Sequence, residues 1–226
     1  MKQIEKNIRQ IAFVVLLLTI IWVIITGISM SQVQSSWTAI DYLKWVSQPD
    51  IFYIVNYINA TILTVMVIAL FTVLFSYLSE KNRIPALLGI SFIPIYGVMQ
   101  LICYSIQISV VPSIATNALS TSGDFLFAFQ LIQSNSQTLI GFINGLAYSI
   151  LGIPSIIYGY MLIKNLKKRS GFLLLINGVL CIIGIVGYIL DNTILSAGIT
   201  LGGIAFLISL IFMILDFGKR TEVNKS

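Results

Sequence analysis

The chain has no histidine. Of its 226 residues, 13 are Lys or Arg, 8 are Asp or Glu, two are Cys and five are Pro. Without histidine, the chain cannot build an HExxH zinc site, a His-ligated haem, a Ser/His hydrolase or a histidine proton relay. The two cysteines form no CxxC pair, so nothing argues for a redox enzyme. No lysine lies deep in an apolar run, where it could hold a Schiff base. Among the acids, Asp191 ends a run among polar neighbours, while Glu80 and Asp216 sit beside basic residues. Proton-coupled transporters generally place acids within the membrane, and no run here carries one at its middle. The expectation is a protein that is not an enzyme and needs no metal or other cofactor.

Charge is scarce for a different reason. Charged residues make up 9% of the chain and hydrophobic ones 58%, and mean hydropathy is +0.98. A soluble domain carries about 25% charged residues, and no soluble fold could hide this much apolar surface. Apolar runs at about 11–29, 51–78, 85–111, 138–163, 171–190 and 195–215 predict an all-α integral membrane bundle of six transmembrane helices, one domain over 1–226. The first run, 19 residues behind Lys2, Lys6 and Arg9, exceeds the h-region of about 7–15 residues in a signal peptide, and Gly27-Ile-Ser-Met30 is a poor cleavage site. It reads as a transmembrane helix.

The net charge of +5 sits at the ends of these runs. Nucleic-acid binding needs a basic face with reading residues, so no nucleic-acid partner is expected; the partner is a lipid bilayer. With the amino terminus inside, Lys2, Lys6, Arg9, Lys81, Arg83, Lys164, Lys167, Lys168, Arg169, Lys219, Arg220 and Lys225 are all inside, and Lys44 alone is outside. The positive-inside rule then predicts that both termini are cytoplasmic. In this topology Cys103 and Cys181 differ in depth by roughly 10 Å at 1.5 Å per residue, too far for a disulfide.

Two connections carry more than a turn. In residues 30–50, Trp37, Ile40, Leu43 and Val46 recur every third position beside Trp45, which fits either a short interfacial helix capped by Ser35 or Ser36 or an ordered loop. Pro49-Asp50 ends it, and Asp50 is placed to cap the second run. Residues 112–136 contain the ten-residue apolar stretch from Asp124 to Gln133, too short to cross a bilayer and so interfacial or re-entrant.

Uncharged polar residues stand out within the runs. Tyr96, Gln100, Tyr104 and Gln107 recur at helical spacing along the third run. Asn56 and Asn59 on the second run, Asn144 and Tyr148 on the fourth, and Tyr188 and Asp191 at the end of the fifth fall in the same outer half in this topology. Asn177 and Tyr158 are exceptions in the drier inner half. Two readings compete. The amides and phenols either bond across helices, at about 0.6 kcal/mol each, or line an outward-facing pocket for a small uncharged or lipid-like ligand. An open pocket predicts that Cys103, beside the stripe, is reachable from outside.

Other stripes read as packing faces: Gly141, Gly145, Tyr148, Gly152, Ser155 and Gly159 on the fourth run, Gly178, Cys181, Gly184 and Tyr188 on the fifth, and Gly198, Gly202, Ala205 and Ser209 on the sixth. Pro94 and Pro154 fall inside runs and predict kinks.

The segment Gly145-Leu-Ala-Tyr-Ser-Ile-Leu-Gly-Ile-Pro-Ser-Ile-Ile-Tyr-Gly-Tyr-Met-Leu-Ile-Lys-Asn165, leading into Ser170-Gly-Phe-Leu-Leu-Leu-Ile-Asn-Gly178, resembles a bacterial family of six-helix polytopic membrane proteins of about this length. The resemblance implies a bacterial cytoplasmic membrane. That family has no assigned activity, so no functional residue is carried over. The sequence thus supports a ligand-binding or ligand-passing membrane protein, or alternatively a scaffold that stabilises a membrane protein partner through its small-residue faces.

Overall fold

A computed structural model describes residues 2–34, 36–120, 124–135 and 137–218. It is all helical, with no strand among the described residues. The elements are α1 (Lys2–Met30), α2 (Ala39–Ser47), α3 (Ile51–Ser79), α4 (Arg83–Ser91), α5 (Ile93–Ser109), α6 (Val111–Ser120), α7 (Phe125–Gln130), α8 (Leu139–Lys164), α9 (Lys168–Ile189) and α10 (Thr193–Asp216). Six segments are long and apolar enough to cross a membrane: α1, α3, α4 with α5, α8, α9 and α10. The six predicted runs therefore exist as helices. Along each of them apolar side chains remain exposed, as a bilayer allows; Ile24 is 57% and Val98 58% exposed.

Local chemistry sets the ends. The Asp50 carboxylate accepts from the Tyr53 N–H at 2.7 Å and caps α3. Asn192 does the same for α10, accepting from the N–H groups of Ile194 and Leu195. The cap of α2 is Thr38; Ser36 lies outside that helix and Ser35 outside the described residues. The Asp41 carboxylate there accepts from both the Thr38 N–H and its hydroxyl, at 2.8 and 2.7 Å. The third run breaks at Phe92, two residues ahead of Pro94, so the proline enters the first turn of α5, where its missing N–H costs nothing. At Pro154 the outcome differs, since α8 runs through it unbroken.

Both α8 and α9 end in a non-glycine residue with left-handed backbone, Leu166 (φ 66°) and Asp191 (φ 49°). In each the next N–H reaches back to the helix: Lys167 to the Leu162 carbonyl at 3.0 Å, and Asn192 to the Gly187 carbonyl at 2.8 Å. These are Schellman closures.

The described residues fall into two compact units. The first comprises the described residues within Met1–Leu17, Met66–Ile95 and Tyr148–Ser226. Glycines hold α8, α9 and α10 together in it. A Cβ on Gly159 would lie 2.7 Å from the Gly171 carbonyl oxygen, and one on Gly171 2.6 Å from that of Gly159. The Ser149 hydroxyl donates to the Cys181 carbonyl at 2.8 Å in the same antiparallel register. Between α9 and α10, a Cβ on Gly198 would meet the Leu180 carbonyl at 2.6 Å and one on Gly202 the Cys181 sulfur at 2.8 Å. The sixth-run face of Gly198 and Gly202 is thus occupied by α9. Of the two polar residues of the drier half, Tyr158 donates its hydroxyl to the Ala86 carbonyl at 3.1 Å, while Asn177 donates from Nδ2 to the Gly202 carbonyl at 3.0 Å and keeps a buried Oδ1 without a partner.

The second unit comprises Leu18–Val65 and the described residues within Tyr96–Ala147. Here α2, α6 and α7 pack on one another. Leu43 and Val46 of α2, Val111 and Ala115 of α6 and Ala128 of α7 share a buried core with Tyr53, Tyr57 and Tyr104. The expected ten-residue interfacial stretch becomes the short helix α7, capped by Asp124, whose carboxylate accepts from the Phe127 N–H at 2.9 Å.

Candidate functional site

The candidate site lies in the second unit, and it starts with an aromatic series. The rings of Trp37, Trp45, Tyr53, Tyr57 and Tyr104 follow one another at centroid separations of 5.9, 5.2, 4.7 and 6.1 Å. Edge-to-face and tilted pairs of this kind add about 0.5–1.5 kcal/mol each beyond burial. The series starts at Trp37 just ahead of α2, passes through Trp45 of α2 and runs down one face of α3, where Tyr53, Asn56, Tyr57 and Ala60 have helical spacing, to Tyr104 of α5.

Beside these rings Gln107 acts as a hub. It is fully buried, and its Oε1 accepts from the Tyr53 hydroxyl and the Gln133 N–H, each at 3.2 Å. Its Nε2 donates to the Leu131 carbonyl at 2.9 Å. Gln133 in turn accepts from the Tyr57 hydroxyl at 2.9 Å. The loop after α7 is thereby tied to α3 and α5. A further amide, Gln130, accepts from the Leu139 N–H at 2.7 Å and caps α8.

The other predicted residues divide into groups. Asn56 accepts from the Thr26 hydroxyl at 2.8 Å, and Asn59 donates to the Leu18 carbonyl at 3.1 Å; both tie α3 to α1. Tyr96 and Tyr104 are buried on α5 and have partners. Tyr148, Tyr188 and Asp191 belong to the first unit, where Tyr148 also has a partner. Asp191 is exposed and makes the turn after α9, a backbone position that Asp tolerates well.

Gln100 is unlike the rest. Its side chain is fully buried, and neither Oε1 nor Nε2 has a hydrogen-bond partner. The antiparallel register of α5 and α8 fixes its surroundings. The Cys103 thiol faces the Ile140 carbonyl at 3.8 Å. Three residues along each helix, about 4.5 Å, bring Gln100 near the level of Ile143, with Asn144 one residue further along α8. Asn144 Oδ1 is likewise buried and unpartnered. Each orphaned buried polar group costs about 1–3 kcal/mol, so Gln100 and Asn144 each call for a polar partner.

The site is closed. Gln100, Cys103 and Gln107 are all 0% exposed, so Cys103 is not reachable in this state, in contrast to the open pocket expected from the stripe. Sequence reasoning missed Tyr53, Tyr57 and Gln133. The first two were legible from their spacing with Asn56; Gln133 was not, because nothing in a loop's sequence says which helix it folds back on.

Fold and site together define a polytopic six-helix membrane protein with a buried uncharged polar centre. No family model, curated protein or solved structure matches the chain.

Proposed function

We propose that this membrane protein binds a small uncharged ligand, carrying both a hydrogen-bond donor and an acceptor, at Gln100 and Asn144, and that passage of such a ligand would use the same centre. The observation that carries this reading is the Gln100 amide, buried completely with both polar atoms unpaired. A carboxamide presents an acceptor and two donor hydrogens, so it suits an amide, a hydroxyl group or the neutral head of a lipid-like molecule. No charged residue is among the predicted site positions in this unit, which favours an uncharged partner. The paired residues around it, with Gln107 as hub, position α3, α5 and the loop.

The membrane is proposed to be a bacterial cytoplasmic one with both termini inside, supported by the twelve basic residues that fall on one side when the six apolar runs alternate in the sequence. Reporter fusions at each terminus test this.

The binding test is a thermal-unfolding series on purified protein with acetamide, glycerol and monoolein as probes. At least one should stabilise the wild type saturably and leave Gln100→Leu unmoved. If Gln100→Leu is more stable than wild type and both respond alike to all three probes, Gln100 is a tolerated orphan and the reading is overturned.

A further inference from the structure

The first unit contains a cavity of about 600 Å³, within the range of about 300–1,000 Å³ typical of small-molecule sites. It lies where the turn joining α3 to α4 meets the last turns of α8. Lys81 comes from that turn and Lys164 from the end of α8, and the lining contains no carboxylate. The Lys164 ammonium rests 4.5 Å from the centre of the ring of Tyr160, which also lines the cavity. Asn82, also in the lining, begins α4 without using its side chain as a cap, and Pro85 of the same first turn lines the space too. The rest of the lining is mostly apolar and includes Ile156 and Ile157 of α8 and Leu175 of α9.

We infer that this cavity seats the headgroup of an anionic phospholipid. The phosphate lies between Lys81 and Lys164, and the start of an acyl chain runs along Ile156, Ile157 and Leu175. Two features select this occupant. The charges are of one sign and sit at the ends of membrane-length helices, where headgroups lie. The apolar wall continues from them into the helix region, which suits an amphiphile and gives a free anion nothing to contact. Basic pockets between transmembrane helices recognise such lipids by this combination.

The test uses the full chain, delipidated in a neutral detergent, with dioleoylphosphatidylglycerol or dioleoylphosphatidylcholine added back and binding read by native mass spectrometry and thermal unfolding. The glycerol lipid should bind more tightly than the choline lipid by roughly tenfold or more. The Lys81→Gln, Lys164→Gln double variant should lose that preference. Lys81→Arg with Lys164→Arg should keep it, as should Lys44→Gln in the second unit. If the Gln variant does not fold, Ile157→Trp, which fills the apolar wall with both charges in place, should weaken binding in its stead. Equal affinity for the two lipids, or a preference unchanged in both the double Gln variant and Ile157→Trp, overturns the inference. Stabilisation by inorganic phosphate alone to the same extent as by the lipid also overturns it, since the site would then be one for a free anion.

Discussion

Gly152 and Gly178 face each other across α8 and α9 at backbone contact: a Cβ on Gly178 would overlap the Gly152 carbonyl oxygen, and one on Gly152 would sit 2.7 Å from that of Gly178. The obstacle on each side is main chain, which cannot rotate away as a side chain can. Gly178→Ala should therefore separate the helices and cost about 1–3 kcal/mol, as overpacking does, while the exposed Gly203→Ala, with nothing within 4 Å of its Cβ, should be neutral or slightly stabilising. Thermal unfolding in detergent compares the two.

The Gln107 hub predicts an asymmetry. Tyr53→Phe removes one donor and leaves Gln107 Oε1 with the Gln133 N–H, a loss of about 1 kcal/mol. Gln107→Leu leaves the Tyr53 hydroxyl, the Gln133 N–H and the Leu131 carbonyl without this partner at once, and should cost about 3 kcal/mol or more. Equal effects in chemical denaturation would show that the hub does not act as a unit.

At the turn after α8, Leu166 is 83% exposed and holds a left-handed backbone with φ 66°. The conformation costs an L-residue about 1–2 kcal/mol, and the side chain is too exposed to offset it. Leu166→Gly should raise stability by about 1 kcal/mol after the extra chain entropy of glycine is deducted. No rise in unfolding temperature would refute the strain.

Asp41, on the short helix α2, is held below its ordinary carboxylate range, first by the Thr38 hydroxyl, then by the Thr38 N–H, with Lys44 adding attraction. Because the folded value is lowered, its stabilisation is present above the unfolded value and is lost as pH falls through the folded one. Acidification below about pH 4 should loosen α2 and change the fluorescence of Trp37 and Trp45, and Asp41→Asn should abolish that step.

Both cysteines are free and buried. A membrane-impermeant thiol reagent should leave Cys103 and Cys181 unmodified until the protein is denatured. Rapid labelling of Cys103 in the folded protein, read by mass spectrometry, would show that the second unit opens.

Much of this was open to sequence reasoning because the bilayer restricts the answer. A run of some twenty apolar residues has one way to satisfy its backbone in lipid, so the six helices follow from composition. The small-residue stripes of α8, α9 and α10 were legible for a related reason, since close approach of two backbones demands glycine at helical spacing and leaves a trace in the sequence.

The polar stripe shows where this stops. Tyr96, Gln100, Tyr104 and Gln107 are equivalent as a pattern, and the sequence determines only that they share a face of one helix. Tertiary structure decided that Gln107 is saturated by Tyr53, Leu131 and Gln133 while Gln100, seven residues away, has no partner. The physical reason is that a hydrogen bond depends on a second group arriving within about 3 Å, from α3 and from the loop after α7, and neither meeting is written in the local periodicity of α5. The same holds for Lys81 and Lys164, which the sequence places only at helix ends and the fold brings to one cavity.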